Sequence, residues 1–465
     1  MTAPVREGAF TDSAAAPEAR TSLNRTILRL AMPAVVENLL QTVVFFADTL
    51  MIGWLRDPTA LAAAGLAGTL LYLLHTLFNA LAVSGAALVA QAWGARRPER
   101  AREFGGQALL LSGLLSLATM AVFLPLAPTY LRWMGAEPDV VAAGSRYIRI
   151  ILAASLLGWP MQVANGIMRG AGDTRTPMWN TLAMNAWNIA ANGVLIFGLG
   201  GFPALGLDGA AWGSMTARSL GGILALRALL RGHTRLSLPW RAVACWRPPI
   251  LRTLVHLAIP TGIEGAVAQS GYLVFTRLVA SLGTVSLAAH QIALRVESLS
   301  YMPSWGLAVA ATTLVGQALG ARDPDLAERA LRRTLLFSLA FNGLLSLGFL
   351  AFARPLVSLF GSTPEVLALA AMALAIAAAE MPALGLEMIL AGGLRGAGDT
   401  RSPMVVTLVG VLFLRIAVVY LLAIQMGWGL AGVWWGTAID WNARALLMWI
   451  LFRRGRWRER RLVEG

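Results

Sequence analysis

RGAGDTRTPM at residues 169–178 returns as RGAGDTRSPM at residues 395–404, and the two stretches differ only in Thr176 against Ser402. The likeness extends outward at the same spacing. QAWGARRPERA (91–101) pairs with QALGARDPDLA (317–327), and Gly135 and Pro138 pair with Gly361 and Pro364. Pro33 and Glu37 pair with Pro260 and Glu264, a single residue out of that register. Self-similarity over most of a chain is the mark of one structural unit used twice.

Each copy is built of apolar runs of about 20 residues, enough to cross roughly 30 Å of hydrocarbon as a helix. The composition agrees: 57% of the 465 residues are hydrophobic and only 13% are charged. Soluble chains carry roughly 25% charge, so a soluble enzyme or binding module is excluded. Twelve spans are expected, at about 27–54, 60–91, 105–127, 140–167, 177–199, 207–230, 252–281, 286–317, 330–352, 365–392, 403–425 and 430–452. Six spans per copy is an even number, so both copies enter the membrane in the same direction. The expected fold is an all-α polytopic membrane protein, with 12 transmembrane helices in two parallel six-helix repeats. A pseudo-twofold axis along the membrane normal would relate them, with a cavity between the lobes suited to alternating access.

The expected domains are a disordered cytoplasmic leader (1–21), an N-lobe (22–230), a cytoplasmic linker (231–250), a C-lobe (251–453) and a basic cytoplasmic tail (454–465). The formal net charge is +14, and all 38 basic residues are arginine. With a cytoplasmic N-terminus, arginines crowd the inner segments 96–102, 231–252 and 322–333 and the tail RRGRWRERR, while the outer loops hold Arg56, Arg132 and Arg354. The positive-inside rule therefore places both termini in the cytoplasm, and the basic charge belongs to the lipid bilayer rather than to nucleic acid. Cys245 is a single cysteine, and His75, His233, His256 and His290 lack metal-ligand spacing, so neither a disulfide, a metal site nor another cofactor is expected.

A charge inside hydrocarbon costs at least about 2.5–3.5 kcal/mol, so intramembrane acids are functional candidates. Glu37, Asp48, Glu264, Glu297, Glu380, Glu387 and Asp440 fall within the spans. Glu37, Gln41 and Asp48 lie within about 40° of one another on a helical projection and form one stripe. Asn185, Asn188 and Asn192 likewise share a face of the fifth span. Both helices run outward, which puts Asp48 and Asn192 in the outer half, where a carboxyl among amides can exchange a proton. Glu37, nearer the cytoplasm, is open to a coupling role or an interfacial one. Glu380 and Glu387 share a face (i, i+7) and with Glu264 form a secondary set, either lining the cavity or ion-paired with Arg295 or Arg415. Asp440 and Arg444 (i, i+4) are expected to neutralise each other. In the repeated hairpins Thr176 and Ser402 are expected to cap helices that begin at Pro177 and Pro403. Trp54, Trp133, Trp240, Trp246 and Trp457 suit membrane interfaces, while Tyr72, Trp187 and Tyr272 are aromatic candidates for the cavity.

These motifs together resemble the multidrug and toxic compound extrusion (MATE) family, in particular its bacterial DinF-like branch. The resemblance covers residues 22–452. It rests on Pro33, Asp48, Thr49 and Met51 in the first span, the paired Gln-x2-Gly-Ala loops, the duplicated RGAGDTR hairpins and LAAHQIA at 287–293. It implies an antiporter of the inner (plasma) membrane, not an enzyme, that exports small organic compounds as protons or sodium ions enter. The family's N-lobe ion site would fall on Asp48 and Asn188. Many relatives carry an aspartate where this chain has Asn192, and acids of the sodium-coupled and eukaryotic branches fall here on Ala268 and Leu384. Protons are therefore favoured over sodium as the coupling ion, and a monomer suffices.

Three rivals are weighed. The major facilitator superfamily would show an Asp-Arg pair after the second span, where this chain reads GARRPERAREF. A lipid-linked oligosaccharide flippase of the same broader superfamily would want a cationic cavity, for which Arg218, Arg295 and Arg415 are candidates. A membrane-embedded transferase would need clustered His, Asp or Lys at a membrane face, and the short arginine-rich loops do not offer them.

Overall fold

The computed structural model describes residues 16–463 apart from His233. Among these residues every regular element is helical: α1 (Ala16–Gly53), α2 (Pro58–Gly94), α3 (Pro98–Trp133), α4 (Pro138–Ala153), α5 (Ser155–Gly170), α6 (Arg175–Phe197), α7 (Gly206–Leu230), a short α8 (Trp240–Ala244), then α9 (Pro248–Ala280), α10 (Thr284–Gly320), α11 (Pro324–Ser358), α12 (Pro364–Ala377), α13 (Met381–Gly396), α14 (Arg401–Gln425) and α15 (Gly429–Arg453). Pro58, Pro98, Pro138, Pro248, Pro324 and Pro364 each open a helix. There the missing N–H costs nothing and the fixed φ suits the first turn.

Six of the helices (α1, α2, α3, α9, α11 and α14) are by themselves long and apolar enough to cross a membrane. Two bent pairs count as one span each: α4 with α5 at 56°, and α12 with α13 at 52°. Proline accounts for the bends, because it removes a donor and crowds the carbonyl four residues back. Pro160 does this at Leu156, close to the first break, and Pro382 at Ala378, in the second. The other four spans, α6, α7, α10 and α15, are also long enough, at 23, 25, 37 and 25 residues. Their hydropathy is diluted by Asn185, Asn188, Asn192, Arg218, Glu297, Asp440 and Arg444, the residues that turn to protein rather than lipid. Twelve spans result, and α2, α5 and α6 match α10, α13 and α14 at one sequence offset, as the repeat requires.

Lipid tails give helices no hydrophobic reason to associate, so close packing at small residues does that work. A side chain on Gly166 or Gly170 of α5 would run into the α2 backbone at Ala82 and Ala86. The first helix of each half reaches across to the other. Ile27, Leu30 and Ala31 of α1 are buried with α10, α11 and α13 of the second half, and Ile250, Leu254 and Leu257 of α9 with the core of the first.

The linker and the tail both pack against the helices. Residues 1–15 lie outside the described residues, and α1 already begins at Ala16. The linker is docked: Leu236 and Leu238 are buried, and Gln107 of α3 donates to the Ala242 and Cys245 carbonyls and accepts from the Arg247 N–H at 3.0 Å. The tail folds back. Trp457, expected at a membrane interface, is 2% exposed and stacks on Phe452, because its indole N–H is taken by the Phe452 carbonyl at 3.0 Å. Trp54, Trp133, Trp240 and Trp246 are exposed.

Candidate functional site

The repeated hairpins bind the two halves together at one end of the molecule. Gly172 and Gly398 take φ of 84° and 85°, a backbone that a residue with a Cβ rarely adopts. The tight turn lets Asp173 and Asp399 accept from the N–H and hydroxyl of Thr176 and Ser402, at 3.1 and 2.7 Å and at 3.2 and 2.7 Å. This corrects the expected cap. The aspartates do the capping, the hydroxyls donate to them, and the helices start at Arg175 and Arg401, ahead of the prolines. Across the axis, Gln91 donates to the Gly396 carbonyl at 3.2 Å and Gln317 to the Gly170 carbonyl at 3.0 Å. Both are buried or nearly so, and Thr313 adds a bond to the Arg169 carbonyl at 3.0 Å.

The hairpin arginines have a task that their turn-like setting hides. Arg169 grips Glu37 with 2.9 Å to each carboxylate oxygen, and Asn165 adds a bond at 3.3 Å. Arg395 grips Glu264 at 2.6 Å, with Thr407 at 3.3 Å. Each pair ties the first helix of a half to the hairpin of that half. Glu37 and Glu264 are thus each ion-paired to the arginine that precedes their hairpin.

Asp48 is differently placed. Its Oδ1 accepts from the Asn192 amide at 2.6 Å, Asn192 donates also to Asn188 Oδ1 at 3.3 Å, and Asn188 donates to Ser214 of α7 at 3.3 Å. Gly213 makes this possible, since a Cβ there would occupy the space of the Asn192 side chain. Among the described residues no arginine forms a salt bridge with Asp48; Arg218 acts on it only through the field, its guanidinium lying 5.6 Å from the Trp159 ring. The structure thus brings Asp48, Asn188 and Asn192 together. Gln41 is not part of the set: it is exposed and makes no hydrogen bond with Glu37 or Asp48. Asn185, on the same face, holds α6 to α1 through the Leu40 carbonyl at 2.6 Å.

In the second half, Asp440 Oδ2 is shared by Arg415 at 2.7 Å and Arg444 at 3.2 Å, and Arg444 also reaches Glu387 at 3.8 Å. Arg444 lies flat on Trp441, 3.8 Å from the ring centroid. The expected Asp440–Arg444 pair is present, and the Arg415 of a π-helical turn in α14 joins it. Glu387 is ion-paired to Arg444, not to Arg295 or Arg415; Arg295 lies over Phe46 of α1. Glu380 does not share an unbroken face with Glu387, because it sits at the break where α13 begins. Its carboxyl meets Glu297, which also accepts from the Tyr301 hydroxyl at 3.2 Å. The arginines that a flippase reading needs therefore do not converge: Arg415 is neutralised, while Arg218 and Arg295 lie against aromatic rings.

Two six-span halves, latched at one end and carrying separate buried polar sets, define a multi-pass membrane transporter. The chain belongs to the MatE family, whose profile matches residues 33–194 and 260–421, once in each half. It is similar to the "Probable multidrug resistance protein NorM" of Thermotoga maritima, 28% identical over 443 residues, 95% of this chain and 94% of the relative. The protein of the same name in Rhizobium meliloti is 32% identical over 440 residues, covering 92% of this chain and 93% of the relative. The fold matches the structure titled "Crystal structure of MATE in the straight conformation" with a TM-score of 0.87 at 23% identity, over 94% of this chain and 97% of that one.

Proposed function

We propose that this chain is a proton-coupled multidrug efflux antiporter of the bacterial inner membrane, working by alternating access as a monomer. Multidrug export is supported by the names of the relatives in Thermotoga maritima and Rhizobium meliloti. The N-lobe (22–230) and C-lobe (251–453) rock against each other, and the hairpin end, with both termini, faces the cytoplasm, as the arginine distribution supports. The latched hairpin end then corresponds to a state closed to the cytoplasm.

The observation that carries the coupling is the contrast between Glu37 and Asp48. Glu37 is locked to Arg169, whereas Asp48 has the Asn192 amide as its partner, and an amide can serve a carboxyl both charged and protonated. Protonation from outside removes the Asp48 charge and weakens its attraction for a cationic substrate; deprotonation toward the cytoplasm restores it. Only such a difference in affinity between states can drive the swing. Asn188 and Asn192 orient the carboxyl, and no cofactor beyond the coupling ion takes part.

The test uses inverted vesicles, acidified inside and free of sodium, with a pH-sensitive dye. Lipophilic cations added to wild type release protons, and Asp48→Asn abolishes the release. Full proton release by that variant defeats the assignment, and a response that requires sodium replaces the proton as the coupling ion.

A further inference from the structure

Four exposed arginines gather around the first hairpin without an acid to match them. Arg25 and Arg29 stand one turn apart on α1, and the Thr174 hydroxyl donates to the Arg29 carbonyl at 3.4 Å. Arg175, the next residue, opens α6. Arg235 reaches in from the linker, its Nη1 3.2 Å from where a Cβ on Gly172 would stand. Arg25, Arg175 and Arg235 all act on Arg29 through the field. Among the described residues none of the four forms a salt bridge, and Asp173 of the hairpin is spent on Thr176. At the same end of the molecule Arg100, Arg102 and Arg247 do have partners, in Glu103 and Glu99. The second half repeats the positions but not the charge. Arg252, His256 and Arg401 stand where Arg25, Arg29 and Arg175 stand in the first, and Arg401 donates to His256 Nε2 at 3.1 Å.

Apolar surface continues from these arginines along both helices. Arg25, Arg29, Met32, Val36 and Leu39 fall within about 80° of one another on α1, and the three apolar side chains are exposed. On α6, Trp179 and Leu182 follow Arg175 at i+4 and i+7 and are exposed as well. From Arg29 to Leu39 is about 15 Å of helix, half of roughly 30 Å of hydrocarbon. Unpaired cations above one leaflet's depth of apolar surface complement a phospholipid, with the phosphate at the arginines and an acyl chain along the stripe. Guanidinium suits that headgroup, because its planar fork can donate two parallel bonds to a phosphate. A free phosphate would leave the stripe uncovered.

We propose that Arg25, Arg29, Arg175 and Arg235 form a headgroup site for one anionic phospholipid of the leaflet at the hairpin end. The bound lipid ties α1, α6 and the linker together. The site takes no part in moving ions or drugs, so it stands apart from the antiport reading.

The experiment is a native mass-spectrometric titration of the delipidated full-length protein with phosphatidylglycerol and, separately, with phosphatidylcholine. Wild type is expected to retain one phosphatidylglycerol in preference to phosphatidylcholine. R29Q/R175Q is expected to weaken that binding roughly thirtyfold, about fivefold for each positive charge removed near a membrane surface. R252Q/R401Q removes the same charge from the other half and is expected to leave the binding unchanged. Each variant is first shown to elute as a single folded species. Arg235→Gln, which lies outside the helices, guards against misfolding of the double variant and is expected to weaken binding about fivefold; full affinity in this variant and in R29Q/R175Q overturns the proposal. Equal weakening by R29Q/R175Q and R252Q/R401Q would reduce the site to general surface charge, and equal affinity for the two lipids would remove it. Inorganic phosphate at millimolar concentration is expected to leave the lipid bound, and its displacement would make this a site for free phosphate and overturn the lipid assignment.

Discussion

Glu37 and Arg169, far apart in sequence, meet in an ion pair in which one guanidinium nitrogen lies 2.9 Å from each carboxylate oxygen, and Glu264 and Arg395 pair in the other half through a single contact at 2.6 Å. Glu37 is 2% exposed and the Arg169 side chain 18%, so removing the glutamate charge strands a largely buried guanidinium. Breaking such a pair from one side costs about 3–5 kcal/mol. Glu37→Gln is expected to lower the unfolding temperature in detergent markedly, while the E37Q/R169Q double variant recovers much of the loss. A thermal-shift double-mutant cycle measures this. Equal destabilisation by the single and double variants would mean that the pair carries no coupling energy.

Asp48→Asn is expected to leave stability nearly unchanged, because the amide oxygen still accepts from Asn192. In wild type, binding of a lipophilic cation weakens as pH falls, since protonation removes the Asp48 charge. In the variant the binding is flat with pH in the range governed by this group. Equilibrium binding across a pH series reads the difference, and parallel curves would remove Asp48 from the mechanism.

Gly94 and Gly320 sit where the halves touch, and a Cβ on either would run into the carbonyl of Gln317 or Gln91. Gly94→Ala and Gly320→Ala are therefore expected to push the hairpin ends apart and shift the population toward the state open at that end. Distances between spin labels on the two halves, in a cysteine-free Cys245→Ser background, test it. Unchanged distance distributions in both variants would show that the contact does not control closure.

The tail bridges the same seam. The Leu462 N–H donates to Gln91 at 2.8 Å, Arg97 reaches the Val463 carbonyl at 3.4 Å, and Arg460 reaches the Gly398 carbonyl at 3.3 Å and Asp399 at 3.5 Å. Truncation after Arg454 is expected to loosen closure in the same direction as Gly94→Ala, with a smaller shift because the Gln91 and Gln317 side-chain bonds remain. The same labels report it, and an unaltered distribution would make the tail a passenger.

Much of the candidate site was legible as residue type but not as partnership. Asp48, Asn188 and Asn192 were found because helical periodicity puts polar groups on one face, and one helix faces its neighbour. Gln41 satisfied the same periodicity and still turned away, since a projection gives an angle and not a neighbour. Arg169 and Arg395 were overlooked as ion-pair partners because turn chemistry explained the rest of their motif. The signal was there: both halves keep a glutamate in the first helix and an arginine before the hairpin. Glu297 was visible as an intramembrane acid, but its partner lies on another span at a break that hydropathy does not show.

The repeat, the helical class and the number of spans are written in the chain, because apolar run length, proline placement and self-similarity are local or translational properties. Which acids are neutralised and which are left with amides follows from how the helices pack. Those outcomes depend on contacts of a few ångströms between helices that are separate in the chain, and the crossing of packed helices sets them.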